Sequence, residues 1–187
     1  MSNKRHLLLL VGGVLSVIAL LLWFSLPSDD VLVERTRDQL DLREEVLYGK
    51  DTDTPFSGIL VAYFSGTNKR SAIEIQKGKA HGPSRGWYEN GQLEVEETFE
   101  RGVAHGQRFR WHANGQKKSE AMIVNGKITG RFTQFHQNGK RAAEVNMVAG
   151  KPHGMSLAWN DSGDLVARVE LNGGEIVHQE YFNQDTP

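Results

Sequence analysis

The chain contains no cysteine, and only 5 of its 187 residues are proline. The absence of cysteine excludes disulfides, thiolate zinc sites, cysteine nucleophiles, iron–sulfur clusters and a lipid attached through cysteine. An excess of one charge is lacking too, since 22 basic and 23 acidic residues give a net charge of −1. Composition therefore gives no indication of nucleic-acid binding. Glycine is abundant, with 20 residues, and glycine excess without proline excess indicates many tight turns rather than a collagen-like chain.

One long hydrophobic run, Leu7–Leu26, contains no charged residue. As a helix it would span about 30 Å, the thickness of the hydrocarbon core of a bilayer. Lys4 and Arg5 precede the run and Asp29 and Asp30 follow it, so the positive-inside rule places the N-terminus in the cytoplasm. We therefore expect a signal anchor and a single-pass inner-membrane protein whose remainder is periplasmic or extracellular. The alternative is a protein secreted after signal cleavage, but the run is long and no Ala-x-Ala site follows it.

Charge changes after this run. Residues 27–54 contain nine acidic and four basic residues, which suits an acidic stalk, and Val46–Tyr48 could form a short strand before Pro55. The sequence thus predicts five segments: a cytoplasmic N-terminus (1–6), a transmembrane signal anchor (7–26), an acidic stalk with a leading strand (27–54), a repeat domain (55–182) and a C-terminal tail (183–187).

A period of 24 residues dominates the rest of the chain. Two glycine series that we interpret as structural turns keep this period: Gly58, Gly82, Gly106, Gly130 and Gly154; and Gly91, Gly115, Gly139 and Gly163. An aromatic series keeps it as well: Tyr63, Trp87, Trp111, Phe135 and Trp159. Regular self-similarity of this kind is typical of repeat architectures, in which each unit packs mainly on its neighbours.

Each repeat has the pattern of a β-hairpin. Asn-Gly pairs such as Asn114-Gly115 favour two-residue turns, because both residues tolerate positive φ. Between turns, apolar residues alternate with polar ones, as in Ser119, Ala121 and Ile123, which is typical of a half-buried strand. We therefore predict an all-β fold, an elongated antiparallel meander of 24-residue hairpins, preceded by one N-terminal transmembrane helix.

The recurring G-x4-[WYF]-x2-N-G-x10-G-x2-H-G pattern resembles the bacterial variant of the MORN repeat. One copy runs from Gly82 through Trp87 and Asn90-Gly91 to His105-Gly106. The opening segment, Leu47-Tyr48 followed by Pro55–Gly58, is similar to that of MORN-variant proteins of the YwqK antitoxin family. The resemblance covers about residues 40–182. It implies a single-layer sheet of hairpins, contact with protein or lipid, and no catalysis.

Candidate sites are few. The aromatic series is either the packed core of the sheet or an interaction surface that contacts a peptide, a glycan or lipid headgroups. His81, His105 and His153 share one repeat phase and His112 and His136 another, but neighbouring repeats are too far apart for several nitrogens to reach one metal ion. No nucleophile elbow, zinc-protease motif or phosphate-binding loop is present.

The sequence therefore favours a protein without enzymatic activity, cofactor, metal or nucleic-acid partner. The first hypothesis is a membrane-anchored MORN-repeat interaction module that binds a protein partner or an envelope or lipid surface. The alternative is a YwqK-like antitoxin that neutralises a toxin by direct protein contact.

Overall fold

The computed structural model describes residues 32–50 and 52–182. Within these ranges, the regular structure is β-strand apart from one three-residue 3-10 turn, Arg37–Gln39. The strands are β1 Glu34–Thr36, β2 Leu40–Arg43, β3 Val46–Gly49, β4 Gly58–Tyr63, β5 Lys69–Gln76, β6 Lys79–Trp87, β7 Leu93–Glu100, β8 Val103–Ala104, β9 Gly106–Trp111, β10 Lys117–Val124, β11 Lys127–Phe135, β12 Arg141–Val148, β13 Lys151–Trp159, β14 Leu165–Asn172 and β15 Glu175–Tyr181.

Thirteen of the described strands form one sheet. From β4 to β15 the strands pair antiparallel in chain order, and the short β8 also pairs with β7. The sheet begins with β1, which pairs parallel with β4, and β2 and β3 form a separate hairpin. The predicted all-β antiparallel meander of hairpins is therefore confirmed.

The prediction of a transmembrane helix has to be corrected. The residues that the structure describes contain no helix long and apolar enough to cross a membrane. Their single 3-10 turn has three residues, whereas a spanning helix needs about 20. The segment expected to span, Leu7–Leu26, lies outside the described residues. The fold class of residues 32–50 and 52–182 is thus all-β, and the single-pass inner-membrane localisation that depended on a spanning helix is not supported.

Strand pairing divides the side chains between two faces. Leu60 of β4 is opposite Ile73 of β5, and Ile73 is opposite Ser84 of β6. Directly paired residues share a face, and side chains alternate along each strand. This face, called the apolar face below, carries the repeated aliphatic and aromatic positions Ile75, Phe99, Ile123, Met147 and Leu171.

The best-buried part of the apolar face lies in the middle of the sheet. Ile123 is 1 % exposed and packs with Ala104 and Ala121, and Phe99, Ile128 and Phe132 lie against this cluster. All six residues come from neighbouring strands, β7 to β11. Each repeat therefore buries its apolar residues against the adjacent repeats, as the nearest-neighbour packing of repeat proteins requires.

Gly82, Gly130 and Gly154 of the first glycine series lie at bulges rather than at turns. Gly82 is inside β6, where the β5–β6 register shifts between Ile73 and Ile75. Its φ is +94°, and an added Cβ would lie 2.7 Å from a Glu74 carboxylate oxygen. Positive φ and a close neighbour together explain why this bulge takes glycine. For Gly82, Gly130 and Gly154 the interpretation as turn residues is therefore replaced by a bulge inside the sheet.

The β2–β3 hairpin joins the sheet at its first repeat. The Leu47 amide donates to the Gly78 carbonyl over 2.9 Å, and the Phe56 amide donates to the Leu47 carbonyl over 2.8 Å. An added Cβ on Gly78 would lie 2.3 Å from a Val46 methyl carbon, so the contact is tight. This hairpin occupies part of the segment that the sequence assigned to a stalk.

Candidate interaction surface

Three Asn-Gly pairs, at 90–91, 114–115 and 138–139, lie in five-residue loops at one end of their hairpins. In the loop 112–116, the His112 amide donates to the Gln116 carbonyl and the Gly115 amide donates to the His112 carbonyl, both over 2.8 Å. Gly115 has a φ of +82°, whereas Asn114 is not among the residues with positive φ. This is the bonding of a type I turn followed by a glycine bulge. The expectation that both residues of the pair have positive φ is therefore wrong. We call these the Asn-Gly loops: 88–92, 112–116 and 136–140.

The asparagine of each loop bonds to the next repeat. Asn114 accepts from the Gln116 amide through Oδ1 over 3.0 Å and donates to the Gln137 carbonyl through Nδ2 over 2.9 Å. Asn90 and Asn138 make the equivalent pairs of bonds, with their Nδ2 atoms on the carbonyls of Ala113 and Asp161. The same side chain thus closes its own loop and connects successive loops.

A second bond connects the repeats at the aromatic series. The Tyr88 hydroxyl donates to the Trp111 carbonyl over 2.8 Å. His112 Nε2 bonds to the Phe135 carbonyl, and His136 Nε2 to the Trp159 carbonyl, both over 2.9 Å. Because a carbonyl only accepts, Nε2 carries the proton in both histidines. Burial raises the pKa of Tyr88, so its hydroxyl remains a donor to a higher pH than that of a free tyrosine.

These bonds reach Trp111, Phe135 and Trp159. Together with Tyr63 and Trp87 these residues form the aromatic row, which keeps one position in the repeat. Alternation from Gly86, which is on the apolar face, puts Trp87 on the opposite side, called the aromatic face below. Tyr63 is 38 % exposed and the other four rings are half-buried. The row lies at strand ends, next to the loops, and not in the best-buried cluster.

Charged side chains accompany the aromatic row. Lys117, which is paired with Trp111 across β9 and β10, has its Nζ 5.1 Å from the Phe109 ring centre. The Arg141 guanidinium carbon is 5.3 Å from the Trp159 ring centre. Cations at these distances are attracted to the negative face of an aromatic ring. The surface therefore combines accessible ring area with basic side chains that contact the rings.

Three acidic residues of the aromatic face are paired with basic side chains. Glu96 bonds to Arg85 Nε over 2.6 Å, Glu120 is 2.9 Å from Lys117 Nζ, and Glu144 is 3.3 Å from Arg141. Glu97, which interrupts the apolar alternation of its repeat, is on the other face and pairs with Arg108 over 2.6 Å. The adjacent Glu96 and Glu97 thus have different partners on different faces.

The repeated histidines that form hydrogen bonds in the structure bond to the backbone. His112 and His136 bond to carbonyls, as described above, and among residues 32–50 and 52–182 no group of three or more metal-ligating side chains is arranged to hold an ion. Sequence reasoning did not identify the bridging role of the loop asparagines. The available signal was the shared phase of Asn90, Asn114 and Asn138.

Comparison with known families agrees with this architecture. Residues 80–101 and 104–125 match the family model described as MORN repeat variant. The chain contains MORN-variant repeats. MORN repeats are generally protein or membrane interaction modules, and the pattern of the matched residues recurs in residues 130–153. No curated protein matches the chain, so the similarity to YwqK-family antitoxins stays a prediction.

Proposed function

We propose that this protein is a non-enzymatic MORN-repeat interaction module that binds a protein partner along its aromatic face. The observation that carries the proposal is the aromatic row, whose half-buried or exposed rings take the same register position in five repeats. Equivalent positions in successive hairpins are two strands apart, about 9–10 Å. Such spacing suits a partner that presents apolar side chains along a line.

The composition of the row supports a protein partner. Tryptophan, tyrosine and arginine are the residues that most often dominate the binding energy of protein interfaces. The row contains three tryptophans and a tyrosine, and Arg141 lies over Trp159. Bonds between repeats also reduce the motion that binding would have to suppress, and preorganisation of this kind favours affinity.

The proposal of a non-enzymatic role is supported by the charge pairing. Glu96, Glu97, Glu120 and Glu144 each lie within 3.3 Å of a basic side chain. A general acid or base needs a carboxyl group that can exchange its proton with a substrate. These carboxylates are instead held in ion pairs on the surface of the sheet.

The test begins with photo-crosslinking. A photoreactive phenylalanine analogue placed at Trp111 or Phe135 is expected to capture the same protein, whereas the analogue at Ile176, which is 60 % exposed and pairs with Leu171 on the apolar face, is not. Binding of that purified protein to the Trp111→Ala variant should weaken by roughly tenfold or more, because truncation of an interface tryptophan removes a hot spot.

The matched control is Ile176→Ala, on the apolar face, which should bind the same partner within about twofold of the unchanged chain. Urea unfolding of each variant separates lost binding from lost folding. Unchanged affinity for both Trp87→Ala and Trp111→Ala, in variants that remain folded, would exclude the aromatic row as the binding surface.

A further inference from the structure

A cleft of about 550 Å³ lies between the β2–β3 hairpin and the apolar face. Leu60, Ile73 and Ile75 of the sheet form one wall, and Leu42 and Leu47 of the hairpin form the other. The volume is within the range of small-molecule sites, about 300–1,000 Å³. At the mouth, Leu42 is 57 % exposed and Val103 is 46 % exposed. A bound apolar group would therefore cover aliphatic surface that now contacts solvent.

Charged side chains of the cleft are mainly cationic. Arg37, Lys79 and Arg101 line it, together with one acidic residue, Glu45. The Arg37 guanidinium donates to the Leu40 carbonyl over 2.7 Å. Within the described part of the chain, Lys79 and Arg101 have no carboxylate within 4.0 Å. This contrasts with the aromatic face, where the acidic residues described above are paired.

Backbone geometry fixes one of these cations at the cleft. Arg101 has a φ of +51° and Gly102 a φ of +87° in the turn between β7 and β8, and the Gly102 amide donates to the Ala80 carbonyl over 2.7 Å. Ala80 lines the same cleft. The turn that carries Arg101 is therefore bonded directly to a residue of the cleft wall.

We infer that this cleft is a binding site for an organic anion with an apolar body, such as a medium-chain carboxylate. The aliphatic walls would bury the hydrocarbon, and Lys79 and Arg101 would pair with the carboxylate at the rim. The charge balance of three cations to one anion favours an anionic head group over a neutral or cationic one. This site is formed by the hairpin and the first repeats, and it involves no residue of the aromatic row, so it is independent of the proposed partner surface.

Fluorescence of anilinonaphthalene sulfonate, an apolar anion, tests the site on the full chain. The probe should bind and be displaced by decanoate, and decanol, which has the same chain length without the charge, should displace it much less well. The double variant Lys79→Glu/Arg101→Glu should bind both anions roughly tenfold or more weakly, since two attractive contacts become repulsive. Leu42→Asp, which places a negative charge at the mouth, should also weaken both.

The matched control is Lys127→Glu. Lys127 is one repeat beyond Val103 in the same series of turns and does not line the cleft, so its variant should bind within about twofold of the unchanged chain. Equal affinity of the double variant and Lys127→Glu for decanoate would overturn the inference, as would equal displacement by decanol and decanoate. None of these variants changes a residue of the aromatic row, so the partner-binding proposal is tested separately.

Discussion

The two ends of each hairpin are connected to the neighbouring repeats in different ways. At one end, the Asn-Gly loops are joined by side chains, as when Asn114 Nδ2 donates to the Gln137 carbonyl. At the other end, two-residue turns are joined by the backbone, as when the Gly126 amide donates to the Ala104 carbonyl over 2.9 Å. Both residues of that turn, Asn125 and Gly126, have positive φ, which is the geometry of a type I′ turn.

This difference in bonding explains which positions have the same residue in successive repeats. Where the loop asparagine makes two bonds, the same residue returns in all three Asn-Gly loops. Where the backbone makes the bond, the residue before the glycine is free to vary. The residues at that position are Lys77, Arg101, Asn125, Ala149 and Gly173, all with positive φ. Side-chain bonding therefore constrains the sequence more strongly than turn geometry alone.

The largest effect is expected from Gly115→Val in an Asn-Gly loop. The φ of Gly115 is +82°, and an added Cβ would lie 3.1 Å from the Gln92 side-chain oxygen. A β-branched residue in the left-handed region is strained, so the free energy of unfolding should fall by about 2 kcal/mol or more. Urea unfolding measures it. The control Ala113→Val, at an exposed position of the same loop without positive φ, should change stability by less than about 0.5 kcal/mol.

Asn114→Ala removes two side-chain bonds, one to the Gln116 amide and one to the Gln137 carbonyl. The expected loss in the free energy of unfolding is about 1.5 kcal/mol, since each exposed bond contributes about 0.5–1 kcal/mol. Asn114→Asp keeps the acceptor for Gln116 but loses the donor to Gln137, and should therefore fall between the alanine variant and the unchanged chain. If aspartate were as destabilising as alanine, the bond between loops, rather than the bond within the loop, would carry the effect.

His112→Phe should lower the free energy of unfolding by about 1 kcal/mol, because the Phe135 carbonyl loses its side-chain donor. The informative control is His112→Tyr. Tyrosine occupies the equivalent position in the previous repeat, where the Tyr88 hydroxyl donates to the Trp111 carbonyl over 2.8 Å. The tyrosine variant should thus retain most of the stability. Equal melting temperatures for the phenylalanine and tyrosine variants would show that ring packing, and not the hydrogen bond, holds the aromatic row.

Much of the fold was predictable because it follows from local patterns. The 24-residue period indicated stacked hairpins, and the alternation of Ser119, Ala121 and Ile123 indicated which side chains share a face. The type of turn was not predictable from Asn-Gly alone, since that pair occurs both in two-residue turns and in longer loops with a glycine bulge. Likewise, positive φ at Gly82 suits a turn or a bulge equally well, and only strand register separates them.

The candidate surface was predictable only in part. The shared phase of Trp87, Trp111 and Trp159 indicated a row, but not how much of each ring solvent would reach. Bonds such as Asn114 to Gln137 depend on the distance between neighbouring repeats, which no single repeat encodes. The cleft beside Leu42 could not be predicted either. The segment that contains Leu42 was expected to be a stalk and not a hairpin packed on the sheet.

The smallest effect is expected from Asn125→Ala at the other end of the hairpins. Asn125 has a φ of +50° and Ala149, one repeat later, has a φ of +49°, so alanine is already accommodated in this turn. The free energy of unfolding should fall by only about 0.5 kcal/mol, the preference of asparagine over alanine in the left-handed region. Measured beside Asn114→Ala, this variant compares the same substitution at the two ends. A loss at Asn125 as large as that at Asn114 would mean that side chains, and not the backbone, also connect the type I′ turns.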